Sequence, residues 1–403
     1  MTKLSQERSV HIIDGYASKP HLDTGENIAH YIQAQTLALG KNSHLHLADE
    51  TRAKRGAWGW SSEAQALTQN LIADPETQII FFIPTADSAA NASVIAELQA
   101  TLRSQRKDLF LILASPTSGA TPEDQYFTAL NLMKSNHANL VLAYDEYTHT
   151  SMVVVPEEAY YGQSTNLKET LDWLIKIAVK RAGETFTRSQ VIAGLLVSWA
   201  STEISQNFRE VVDHLVDRGA YKRFRGKTAG HFAIRGRHED EFLTSRRNSD
   251  FNKLSEIGLV RVIARGKDNV TAIGSKPSVG GQSQRKIFDQ YRELANIVHF
   301  HSPLRANATH AIPVREQWPF ECGSHQCGQN TADGLKEVAP GIYAVMLENH
   351  GPNIVFGNDV SASHVIDLIE HNFDLEAKTG YAPNERDQGR RLSERSAFNL
   401  DAV

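Results

Sequence analysis

Three histidines combine residue type and spacing in a way that suggests metal chemistry. His299 and His301 flank one residue in the alternating segment ANIVHFHSP. A strand there sends both side chains from the same face. His350 follows an apolar run in AVMLENHGPNIVFG and precedes the permissive Gly351. Neutral imidazole is the commonest protein ligand for zinc-type metals. Two ligands from one strand and a third from a later turn leave a coordination position open, as in catalytic zinc sites. An HxH pair alone is often coincidental, and an NHG turn is weaker still. The combination carries the reading.

The order and context of these motifs resemble the class II aldolase/adducin family. That family carries an HxHS/P strand and an ENHG turn, here His299-Phe300-His301-Ser302 and Glu348-Asn349-His350-Gly351. TAGHFAIRG (228–236) sits at the family's GNxS turn, EFLTSRRNSDFNKL (241–254) at its TPSG segment and KPSVGG (276–281) at its PSSE segment. The resemblance implies an α/β/α domain and a divalent metal, zinc with manganese or iron as alternatives, on His299, His301 and His350. It also implies a homo-oligomer, a tetramer or dimer, and a phosphorylated or anionic sugar-like substrate. Two positions depart from the family. Gly280 stands at or beside its glutamate, and His231 replaces the asparagine of GNxS.

Glu321 is the candidate to replace the missing carboxylate. It lies in QWPFECGSHQCGQNT, where related dehydratases and the rhamnulose-type aldolase place an acid/base glutamate. A carboxylate beside a divalent cation can move a proton at a carbon α to a carbonyl. The bland alternative is an exposed loop glutamate. Cys322, His325, Cys327 and Gln329 crowd the same segment. Its readings are a second soft-metal site, a thiol that meets substrate, or a glycine-rich wall whose cysteines only pack. CxxxxC is not a standard zinc spacing, which favours the wall, and His325 could add a proton donor. The family's phosphate-binding segment corresponds to Ser245, Arg246 and Arg247, with Ser278 and His231 beside it. Guanidinium forks and hydroxyls suit a phosphate. Any one of these, and Lys222, Arg223, Arg225 and Lys227 above all, also reads as solvated surface charge.

The elements that must position these residues are α+β in pattern. GHFAIRG, EFLTS, GLVRVIA, IVHFHS, GIYAVMLENHG and NIVFG read as strands, with helices at 205–221, 281–295 and 360–378. TFTRSQVIAGLLVSWAS reads as an apolar helical stretch at a domain boundary near 183–205. Upstream, VHIID, SHLHLA, QIIFFIP, DLFLILAS, ANLVLAYD and SMVVVPE read as strands. Helices at 25–40, 62–73, 93–104, 127–137 and 167–182 alternate with them. That alternation predicts an α/β fold with a Rossmann-like parallel sheet covered on both faces. The expected domains are 1–187, 188–380 and a polar tail at 381–403.

FTALNLMKSNHANLVLAYD…SMVVVPE, within 105–160, resembles the phosphopantothenoylcysteine synthetase (DFP-like) family, a Rossmann-like fold that binds a cytidine nucleotide. Tyr144 stands at the family's asparagine, and DGYASKPHLDTGEN replaces its glycine-rich turn. Asp14, Gly15, Thr85 and Asp145 fall at strand ends, where open α/β sheets bind ligands. Single strand-end residues are more often simple turn formers.

The chain has 403 residues, 41% hydrophobic and 22% charged, with net charge −5. That balance gives no electrostatic reason to bind nucleic acid or an anionic membrane. No apolar run approaches the ~18 residues of a membrane span. The N-terminus has no signal-peptide core, and the two cysteines form no disulfide framework, so a cytoplasmic location is expected. Three functions follow as expectations: a metal-dependent lyase working through an enediolate, a bifunctional enzyme with a nucleotide-dependent ligase-like N-terminal half, and a non-enzymatic adducin-like assembly protein.

Overall fold

The computed structural model describes residues 9–14, 26–47, 70–71, 77–83, 108–115, 140–145, 150–154, 161–164, 166–182 and 184–377. Within the last range, 222, 225–226, 265, 267–268, 280, 316, 318–319, 321–322 and 349 are excepted. The contacts divide the chain into two compact units, one reaching Gly183 and one beginning at Glu184.

In the first unit, β1 (Ser9–Asp14), β2 (Asn42–Leu47), β3 (Thr77–Ile83), β4 (Asp108–Ser115) and β5 (Leu140–Asp145) form a parallel sheet in the order β2-β1-β3-β4-β5. β6 (Thr150–Val154) and β7 (Tyr161–Ser164) extend it antiparallel. The expected strands β1 to β6 are present; β7 has no apolar run to announce it. Helix α1 (Ile28–Ala38) starts where the Asn27 side chain accepts from the Ala29 and His30 amides. Its buried Ile28, Ala29 and Ile32 face the sheet, and α2 (Leu167–Ala182) buries Leu171, Leu174 and Ile175. The expected helices at 62–73, 93–104 and 127–137 lie outside the described residues, apart from a fragment at 70–71.

The second unit holds one mixed sheet. Its strands are β8 (Arg188–Ile192), β11 (His231–Arg235), β12 (Glu241–Thr244), β13 (Val260–Ile263), β14 (Asn269–Ile273), β15 (Asn296–His299), β16 (Val314–Arg315), β17 (Lys336–Ala339), β18 (Ile342–Leu347) and β19 (Gly351–Phe356). The order is β16-β18-β19-β15-β11-β12-β13-β14-β8, with β17 on β18. β9 (Arg223–Phe224) and β10 (Lys227–Thr228) make a separate short ribbon. Helices α3 (Gln206–Asp217), α4 (Leu254–Ile257), α5 (Gly281–Gln290), α6 (His325–Gly334) and α7 (Ala362–Asn372) complete the unit.

Period-two alternation sorts the strand residues into two cores. Phe232, Val298, Phe300, Met346 and Ile354 pack with Phe208 and Leu215 of α3 and Val365 and Ile369 of α7. Ala233, Ile297, Val345 and Val355 pack with Ile287 and Phe288 of α5 and Ala332 of α6. The sheet is therefore the middle of three layers, a mixed α/β arrangement. Burying a side chain such as Phe232 or Ile297 on either face stabilises by roughly 2–3 kcal/mol.

Several expectations need correction. The stretch TFTRSQVIAGLLVSWAS contains no helix. Arg188–Ile192 is a strand, parallel to β14, because β-branched Val191 and Ile192 meet an open sheet edge and Gly194 interrupts helical propagation. Gly194 also lies against Ile273, and no larger residue fits there without a shift. No helix was expected after Ser324, yet α6 starts at His325, where Ser324 caps it by accepting from the Cys327 amide. Helices α5 and α7 end at Gln290 and Asn372, short of the expected 295 and 378. β14 escaped the sequence reading, its NVTAI being short and half polar.

Candidate metal centre

β15 lies between β11 and β19, pairing His299 with His231 on one side and Asn353 on the other. The ladder ends at His299, yet His301 keeps the alternation and turns toward the same place. His350 occupies the turn of the β18–β19 hairpin, its amide donating to the Leu347 carbonyl. One nitrogen from each of His299, His301 and His350 lies within 4.8 Å of the others. The rings sit 4.7 to 5.1 Å apart, His299 and His350 stacked. His299 and His350 are buried and His301 is half-buried.

Glycine makes this approach feasible. Gly351 has φ +141°, and a Cβ there would stand 2.1 Å from the Phe300 carbonyl oxygen. Gly230, at φ +99°, also passes close to His299, with a Cβ that would stand 2.5 Å from that residue's carbonyl oxygen. Both backbones abut the β15 end because neither carries a side chain.

The protonation chemistry suits a cation. His299 Nδ1 donates to the Pro352 carbonyl at 2.8 Å, which leaves the Nε2 lone pair for a ligand. Burial holds its pKa well below the ordinary imidazole value, and the neighbouring His231, His350 and His301 add to this. The Pro352 hydrogen bond opposes the shift. A neutral imidazole is the ligating form. Three imidazoles with one side chain half-exposed fit a borderline divalent metal.

His231 is a fourth ring in the cluster, 4.6 Å from His299. Burial, then the charges of His350 and His301, push its pKa down to about 3. The Gln284 amide nitrogen lies 2.9 Å from His231 Nδ1 and 3.4 Å from the Phe232 carbonyl oxygen. A carbonyl oxygen only accepts, so the second contact fixes the amide orientation. Nδ1 therefore accepts, and the His231 proton rests on Nε2. His231 is a neutral N–H donor rather than a ligand through Nδ1. Neither Gln284 nor this tautomer was readable in the sequence, because both depend on α5 crossing beneath β11.

The candidate anion residues come together across neighbouring segments. The Ser278 amide donates to the Ser245 carbonyl, the Arg247 amide to the Lys276 carbonyl, and Arg246 bridges Pro277. The Ser245 amide in turn donates to Phe232, next to His231. Ser245 is buried, Ser278 half-buried, and Arg246 and Arg247 are exposed. Ser245 is thus two strand positions from His299, about 10 Å at ordinary strand spacing.

Glu321 and Cys322 lie outside the described residues. Gly323, just beyond them, fits tightly against Val279 at the start of α5. His325 reaches Thr187 Oγ1 at 2.9 Å and its amide donates to Thr185, so it fastens α6 to the chain entering the unit. Cys327 is buried, accepts from Gln317 Nε2 at 2.9 Å, and burial raises its pKa. A packed thiol is the reading this supports. The buried Glu184, accepting from Ser324 Oγ at 2.9 Å, is a carboxylate the sequence did not single out. Among the described residues, no helix is long and apolar enough to cross a membrane.

No curated protein sequence matches the chain. Among solved structures, L-fuculose 1-phosphate aldolase is similar at 19% identity, covering 42% of this chain and 85% of its own, with TM-score 0.32. An aldolase II superfamily protein from Pseudomonas syringae is 16% identical over 43% of this chain and 73% of its own, TM-score 0.30. A DNA/pantothenate metabolism flavoprotein from Streptococcus pneumoniae is 12% identical over 42% of this chain and 96% of its own, TM-score 0.29. Overlaps this small carry no functional assignment. The histidine cluster itself falls inside residues 219–375, the segment that matches the family model of the class II aldolase and adducin N-terminal domain.

Proposed function

We propose that the unit beginning at Glu184 is a metal-dependent lyase acting on a phosphorylated or otherwise anionic sugar-like substrate. The observation that carries this is the convergence of three imidazoles inside the matched segment. His299, His301 and His350 would hold a divalent metal, with zinc the first choice. Bound there, the metal supplies Lewis acidity toward a substrate carbonyl oxygen.

The chain supplies the rest. Glu321 takes or returns the proton at the carbon beside that carbonyl. His231 Nε2–H donates a hydrogen bond to a substrate oxygen. Ser245, Ser278, Arg246 and Arg247 hold the anionic group, at the distance a short sugar spans. C–C cleavage and dehydration both pass through an enediolate. Cleavage starts with loss of a β-hydroxyl proton and ends with protonation at the carbon beside the carbonyl, whereas dehydration starts with removal of the proton there and ends with loss of the β-hydroxyl as water. In this reading the chain works as a homo-oligomer.

The test is turnover of candidate sugar phosphates by zinc-, manganese- and iron-loaded protein, with products read by mass spectrometry. Cleavage gives two smaller products; dehydration gives one that has lost water. Glu321→Gln is expected to lower kcat by about 10²-fold or more with metal content intact. Full activity in Glu321→Gln would refute its role, and a metal-free wild-type protein would favour the assembly reading.

For the first unit a Rossmann-like, nucleotide-binding role of the DFP-like kind is the second reading. It is favoured by the strand order, which reverses at β1. Doubly wound sheets bind ligands outside the strand ends at such a point. Equilibrium titration of the full chain with CTP and ATP tests it, and no binding of either removes it.

A further inference from the structure

The sequence contains a second HxH pair, His44 and His46 on β2. β2 is the edge strand of the first unit, and His11 of β1 lies directly opposite His44 in the parallel ladder. By strand alternation, His11, His44 and His46 share one face, while Val10 and Ser43 lie on the other. His11 stacks on His44 at 4.9 Å and on His46 at 5.4 Å. The pattern repeats that of His299, His301 and His350: two imidazoles from one strand and a third from a neighbouring segment.

We propose that His11, His44 and His46 form a second site for a borderline divalent cation of the zinc class. His11 Nε2 lies 3.1 Å from Ser9 Oγ, and His11 Nδ1 lies 3.1 Å from His46 Nε2. With its Nε2 proton donated to Ser9, His11 presents the Nδ1 lone pair toward His46. Two nitrogens bound to one tetrahedral zinc at ~2.0–2.1 Å stand about 3.3 Å apart, close to the separation found here. His46 carries its proton on Nδ1 when Nε2 ligates, so binding releases no proton. His44 is exposed and stacked on His11, and its ring would have to rotate to offer the third nitrogen. Bound, the cation clamps the edge strand β2 to β1.

The test is zinc stoichiometry on the chelator-stripped full chain, measured by elemental analysis after desalting. Two zinc ions per chain are expected. His44→Ala/His46→Ala should lose one, and His299→Ala/His301→Ala the other. Unchanged stoichiometry in His44→Ala/His46→Ala overturns the proposal, as does a wild-type protein whose only zinc is lost in His299→Ala/His301→Ala. A single zinc lost only in His44→Ala/His46→Ala supports it and instead counts against the lyase site. A second measurement needs no variant. Zinc should protect His44 and His46 of the wild-type chain from diethylpyrocarbonate, read by peptide mass spectrometry, and absence of protection contradicts the site.

Discussion

At the scale of single residues, the Gln284 amide decides which nitrogen of His231 carries the proton. Gln284→Leu removes that donor and leaves a buried Nδ1 acceptor unpaired. We expect a loss of about 1–3 kcal/mol in stability. Imidazole ¹⁵N shifts should also report loss of the single Nε2–H tautomer at His231. Unchanged shifts would show that Gln284 does not set it. His299, His301 and His350 were legible in the sequence because HxH and NHG have fixed local spacing. The pairing of His231 with His299 was not, since it joins strands far apart in the chain through a ladder no local pattern encodes. The HLH pair on β2 was readable by the same spacing rule and passed over, because its partner His11 lies on another strand.

At the scale of elements, the β18–β19 hairpin and the end of β15 must touch for the cluster to exist. Gly351→Ala puts a methyl group into the Phe300 carbonyl and asks a non-glycine residue to hold φ +141°. The expected cost is about 1–3 kcal/mol in stability. Displacing His350 should also weaken zinc binding roughly tenfold or more, as measured by competition with a chromophoric chelator. Wild-type affinity in this variant would mean that the hairpin position does not matter. Helices α3 and α7 are joined by Glu370, which accepts from Arg218 Nε at 2.7 Å and lies 2.8 Å from His214 Nε2. The Arg218 hydrogen bond, aided by His214, holds the Glu370 pKa below its ordinary value. A carboxylate with a lowered folded pKa stabilises above its unfolded value and loses that contribution as pH falls through the folded one. Glu370→Gln should therefore cost about 1 kcal/mol at pH 7 and less at pH 3, in paired denaturant titrations. An equal cost at both pH values would contradict the ion-pair account. The strands of the first unit were legible as runs of branched and aromatic residues. The 188–192 strand was not, because the apolar run it leads into reads as helical and its pairing with β14 is supplied by tertiary structure.

At the scale of the whole molecule, two sheets of different kinds share one chain, a mainly parallel one ending with β7 and a mixed one beginning with β8. In the sequence the pattern changes near 183–205, from strands alternating with helices to closely spaced strands. The resemblance implied the α/β/α layering of the second sheet, but no local pattern showed that α5, one of its covering helices, lends Gln284 to the histidine cluster. The account of that unit depends on His299, His301 and His350 acting together as one cation site. The most direct measurement is a zinc titration of the metal-stripped full chain beside its His299→Ala/His301→Ala variant, followed by calorimetry, with circular dichroism to establish that both are folded. The account predicts that the variant binds one zinc fewer per chain than the wild type; equal stoichiometry and affinity in the two folded proteins would contradict it.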